Sequence, residues 1–202
     1  PGPPLYFDYY NFPEHTYRLA YPAPGSPGLA ARVRALLGRA GIESDEDAER
    51  GFDHGVFIPF MLIYPEADVP IVQLSLREDL DPAAHIELGR ALAPLRDEEV
   101  LIVGSGLSYH NLRALRSNDP ATVAESDRFD AWLTEAVEQP DPARRDRALT
   151  AWADAPGARA SHRRSDHLVP LMVAAGAAGD DRGRRTYSDR MFGKAVSGFQ
   201  FG

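Results

Sequence analysis

Six histidines and no cysteine set the chemistry open to this chain. Without a thiolate there is no disulfide, no cysteine nucleophile and no sulfur-ligated metal, so any metal must be held by His, Asp or Glu. His54, His110 and His167 share a context. Each stands where a turn meets a regular element, beside a neighbour able to hydrogen-bond: Asp53, Asn111 and Asp166. A ligating or catalytic imidazole needs its ring and tautomer fixed by such a partner. His15 and His162 sit among polar and charged residues and read as surface positions, and His85 reads as part of a helix surface. A capping or packing role remains the plain alternative for a loop histidine such as His110.

The element that must position this chemistry runs from Glu99 to Leu112, EVLIVGSGLSYHNL. Its apolar run, Val100 to Val103, predicts a strand buried on both faces. Gly104-Ser105-Gly106 then lets the backbone turn and delivers His110 and Asn111 just past the strand end, where ligands bind in open α/β sheets. Val69 to Leu76 reads as a second strong strand, with another at Val56 to Tyr64 and a short one at Tyr17 to Tyr21. Ser26-Pro27, Asp81-Pro82 and Asp141-Pro142 each open a helix, with the polar residue at the N-cap and proline at the first helical position. Residues 120–138 form an amphipathic helix with Phe129, Trp132, Leu133, Ala136 and Val137 on one stripe. An apolar helix starts at Leu168 and stops at Gly179, after a loop from Ala155 to Asp166, and the tail from Arg185 reads as one or two strands. Alternating helices and strands point to an α/β sheet with helices packed on it.

Composition narrows the partners. A chain of 202 residues suits one domain, and no apolar run approaches the roughly 20 residues of a membrane span. No secretory signal is visible, so a cytoplasmic protein is expected. A net charge of −8 argues against nucleic acid as a partner. Of 22 basic residues only Lys194 is a lysine, which reads as codon bias. The opening PGPPLYFDYY lacks Met, which suggests that something upstream is missing. Its aromatic run either lines a pocket or packs its rings on the body of the domain.

Taken together, F-D-Y-Y-x-F-P at 7–13, Y-P-A-P-G-S-P at 21–27, G-F-D-H-G at 51–55, P-I-V-Q-L-S-L at 70–76, G-S-G-x-S-x-H-N-L at 104–112 and D-H-L-V-P-L at 166–171 resemble one family. It is the LigB-like class III extradiol ring-cleavage dioxygenases, in the branch of the 4,5-DOPA extradiol dioxygenases. The resemblance covers essentially the whole chain. It implies an α/β fold with a mixed central sheet flanked by helices on both faces, a single catalytic domain over 1–202 from which the first strand region is missing. It also implies one mononuclear Fe(II) or Zn(II) site that opens a catechol, DOPA-like ring with O2.

Carried over by position, His167 matches a metal-binding histidine, and His110 matches the one that serves as acid/base or as a further ligand. His54 matches the histidine that contacts the substrate and takes part in catalysis. Asp8 lies in the aromatic motif beside the pocket, and Asn111, next to His110, is expected to touch the substrate. Two further family histidines, in a G-H-G-type turn and an S-A-H-W-type motif, have no counterpart here, so the chain alone is expected to be impaired. It should bind metal weakly and carry an unpaired sheet edge with exposed apolar surface. Asn11 replaces a usual glycine.

Three protein ligands on one face would leave positions for both catechol oxygens and O2. A nearby imidazole, titrating near 6.5, suits the proton transfers. His54, His110 and His167 should therefore converge within roughly 10 Å. The alternative is a non-catalytic relative that binds a small aromatic or a partner protein in the same cleft. Zinc hydrolysis is weaker still, because no H-E-x-x-H arrangement is present. A homo-oligomer is compatible with the sequence.

Overall fold

The computed structural model describes residues 4–202, and the chain divides into two compact units, Pro1–Ser75 and Leu76–Gly202. In the first, α1 (Pro27–Arg39) begins where expected: Ser26 Oγ accepts from Leu29 N, and Pro27 needs no donor there. Its face of Val33, Leu36 and Leu37 is buried, and Gly41, at φ +73°, ends it.

Val56 to Tyr64 is not a strand. Residues 56–63 belong to α2 (His54–Ile63), HGVFIPFMLI, and Tyr64 is its C-cap. A run this uniformly apolar carries neither a period of two nor one of 3.6, so its pattern could not distinguish the two. Only Phe57 of this helix is buried, while Ile58, Leu62 and Ile63 are exposed. Tyr17 to Tyr21 likewise forms no strand, since a 3₁₀ turn covers Glu14–Arg18. Val69 to Leu76 is irregular and pairs only through a single bridge, Ile71 with Gly25. The core of this unit gathers Tyr21, Phe52, Phe57 and Ile71, with Phe7 and Tyr9 packed against them.

The second unit contains α3 (Pro82–Leu92), α4 (Pro120–Val137), α5 (Pro142–Thr150), the single turn α6 (Ala158–Ser161) and α7 (Val169–Ala177). Asp81, Asp119 and Asp141 cap α3, α4 and α5 through their side chains, each followed by proline at the first position. Helices α3 and α7 pack backbone to backbone. A Cβ on Gly89 would lie 2.1 Å from Val173 O, and one on Gly176 would lie 2.0 Å from Ile86 O. Around this contact and α4 sits the larger core, with Ile86, Phe129, Leu133, Leu149, Trp152, Leu168 and Met172.

The tail forms an antiparallel hairpin, β1 (Gly183–Met191) and β2 (Lys194–Phe201). Phe192 and Gly193 both take positive φ in its two-residue turn, as the twist of such a hairpin requires. This hairpin is the one ladder among the described residues, so the mixed central sheet expected above is not formed there. Val100 to Val103 in particular lies in no ladder, and Leu101 and Val103 are 70% and 43% exposed. An apolar run signals a preference for burial, but a strand also needs a neighbour to take its N–H and C=O groups. No described helix is long and apolar enough to cross a membrane.

Candidate active site

In the second unit the Gly104-Ser105-Gly106 turn lies against the start of α7. A Cβ on Gly104 would stand 2.5 Å from Pro170 O, and one on Gly106 would stand 2.3 Å from His167 O. Only glycine allows this approach. Leu107 N then donates to His167 O at 2.9 Å, which ties the 107–111 loop to a residue two positions before α7. The result is a stack: the His110 and His167 rings lie 3.4 Å apart, 10° from parallel.

Asp166 joins them. One ligand atom from each of His110, Asp166 and His167 lies within 4.8 Å of the others, and all three residues are half-buried. Asp166 Oδ1 is buried and makes no hydrogen bond among the described residues, although His167 Nδ1 is 3.4 Å away. Imidazole nitrogen and carboxylate oxygen are the donors that zinc and non-haem iron take, at about 2.0–2.2 Å. Two donors on one ion are then separated by roughly 3–4 Å, a spacing this cluster can supply. The residues present therefore fit a cation. In the sequence Asp166 shows itself only as a neighbour of His167, and that adjacency is the one available signal.

The loop before α4 is held on several sides. His110 N donates to Ser161 O at 3.0 Å, and Asn111 Nδ2 donates to Ala160 O at 2.7 Å. Asn111 Oδ1 also accepts from Ala114 N, so this side chain helps to hold the loop. Lys194 is fully buried, and its Nζ donates to the carbonyls of Leu115, Ser117 and Phe192. The lone lysine is thus an anchor for the far end of the same loop.

His162 is no surface residue. It is fully buried, with Nε2 2.9 Å from Ser108 O and its ring edge-on to Phe129 and Trp152. Burial pushes its imidazole down to about 4, against the opposing pull of the Ser108 bond. His85 is also fully buried: Nδ1 donates to Asp81 O at 2.6 Å and Nε2 accepts from Arg77 N at 3.2 Å. It is a satisfied core histidine. His15 alone of these three is exposed, as expected.

In the first unit His54 is paired with Asp8. Asp8 Oδ1 accepts from His54 Nδ1 at 2.7 Å and from His54 N at 3.1 Å. Burial pulls the Asp8 carboxyl up, but these two bonds and the charge of the ring together hold it below the ordinary carboxylate range. An ionised Asp8 only accepts, so in this pair the His54 Nδ1 is the donor. Asp53 turns the other way, to Arg50 at 3.0 Å and Gln73 at 2.5 Å, and does not orient His54. Of the aromatic run, Phe7 and Tyr9 pack on Phe57 and Tyr17, while Tyr10 and Phe12 are exposed. Asn11 takes φ +62°, a backbone state that suits glycine and that asparagine tolerates.

Residues 4–199 match the LigB family, described as the catalytic LigB subunit of aromatic ring-opening dioxygenase. The dioxygenase tasH of Hapsidospora irregularis is 42% identical, over all of this chain and 65% of its own length. A 4,5-DOPA dioxygenase extradiol of Beta vulgaris is 41% identical, over 87% of this chain and 65% of its own length. The chain thus spans less than two thirds of these relatives. A crystal structure of an uncharacterized protein from Escherichia coli K12 superposes with a TM-score of 0.74 at 33% identity, covering 92% of this chain and 77% of that one.

Proposed function

Because the chain belongs to the LigB family, we propose that it acts as an extradiol dioxygenase that opens a catechol ring, DOPA-like in shape, with O2. The observation that carries this reading is the His110–Asp166–His167 cluster. In this proposal His110 and His167 hold one Fe(II) or Zn(II), with Asp166 as a further donor or as the group that fixes His167. When bound, the metal would lower the pKa of the catechol hydroxyls and bring the diol and O2 together.

The remaining roles fall to the chain itself. His54 contacts the substrate and takes a catechol proton on Nε2, while Asp8 keeps Nδ1 protonated and stabilises the imidazolium that results. Where His110 is not a ligand it serves as the second acid/base. Asn111, whose side chain also holds the loop beside His110, touches the substrate in this reading. In this reading residues 1–202 belong to a single catalytic domain. The enzyme needs no nucleic acid and no membrane, and works in the cytoplasm.

Oxygen uptake with L-DOPA and simpler catechols, after adding Fe(II) or Zn(II) to the full gene product, tests the reading. Uptake tied to a yellow ring-opened product is expected. Stoichiometric metal with no uptake on any catechol would overturn catalysis and leave the binding-protein alternative.

A further inference from the structure

We propose that His162 is the positioning residue of this site, holding the backbone that carries His110 so that its ring stays stacked on His167. The proposal rests on the reading of His110 and His167 as metal-holding residues. Three consecutive residues, 160–162, at the end of α6 grip the loop at three points: Ala160 O on Asn111 Nδ2, Ser161 O on His110 N, and His162 Nε2 on Ser108 O. Ser108 is gripped from the other side as well, since its Oγ accepts from Ser197 N at 2.8 Å. The segment from 108 to 111 is therefore fixed on both flanks of His110.

The choice of residue type supports a positioning role. His162 is fully buried between aromatic rings, and its Nδ1 makes no hydrogen bond among the described residues. Burying an unpartnered polar atom is unfavourable, and a phenylalanine would fill the same space without that cost. What an imidazole adds is one N–H aimed at Ser108 O in a place water does not reach. The Phe129 and Trp152 rings keep it from turning away.

Two substitutions separate positioning from mere packing. His162→Phe keeps the ring and deletes the donor, whereas His162→Gln keeps an N–H near the Nε2 position. In the metal-free protein, amide hydrogen exchange over 106–112 should become about 10-fold faster in His162→Phe, with α3 and α7 unchanged. Co(II) affinity, read from its visible absorption, should fall about 10–100-fold, the usual cost of losing an outer partner. His162→Gln should recover most of both. Wild-type exchange over 106–112 in His162→Phe would overturn the proposal, whatever the metal does. Faster exchange in a protein whose wild type never binds Co(II) would keep the positioning role and sink the metal reading beneath it. Should His162→Phe fail to fold, imidazole nitrogen NMR of the wild type decides: an Nε2–H tautomer supports the proposal and an Nδ1–H tautomer overturns it.

Discussion

The two units hold their histidines by opposite means. In the first, Asp8 grips the His54 ring itself, 46 residues away in sequence, and fixes which nitrogen bears the proton. In the second, the grip on His110 falls on the backbone: Ser161 O takes its N–H, His162 holds Ser108, and glycines bring the loop against His167 O. A ring that moves protons must have its tautomer set. A ring that donates to a cation must above all be in the right place. The contrast in support thus matches the contrast in the roles proposed.

The sharpest way to break that comparison is to remove one ring from each unit. His167→Ala should weaken Co(II) binding and lower oxygen uptake, each by more than the ~10–100-fold typical of outer-sphere changes. His54→Ala should leave metal retention as it was and slow only turnover. Equal metal loss in both variants would erase the distinction.

Next in size is a dependence on pH set by His162 in the second unit. Unfolded, the His162 imidazole takes its proton near 6.5; folded, only near 4. Between those values the unfolded chain binds more protons, so this contribution is present in full above 6.5 and is lost as pH falls toward 4. It amounts to about 3 kcal/mol. Urea unfolding from pH 7 to 4 should show it in the wild type and not in His162→Phe.

Asp8→Asn should lower kcat roughly 10-fold, within the range that general acid–base catalysis contributes, and leave metal affinity unchanged. Gly89→Ala strikes the α3–α7 contact instead. Its methyl would meet Val173 O, costing about 1–3 kcal/mol of stability by thermal melting, with no change in metal affinity once folded.

Much of this was legible in the sequence where the signals were local. Proline after a capping Ser or Asp marked the starts of α1, α3 and α5, because capping is settled within a few residues. The resemblance brought His110 and His167 to one place, and their rings stack. What escaped depends on residues distant in the chain. His162 meets Ser108 from 54 positions away, and Lys194 meets Leu115 from 79, so their polar neighbours in sequence misled. His85 is buried for the same kind of reason, by packing that no local pattern reports. The apolar runs at 56–64 and 100–103 failed differently. Hydrophobicity without a period says what avoids water, not which backbone geometry achieves it.

The central claim is that His110 and His167 share a cation, and proton NMR of the Co(II)-loaded protein tests it most directly. The account predicts that ring protons of both histidines move into the hyperfine-shifted region at one equivalent of Co(II). Co(II) bound with both sets of ring signals unmoved would contradict it.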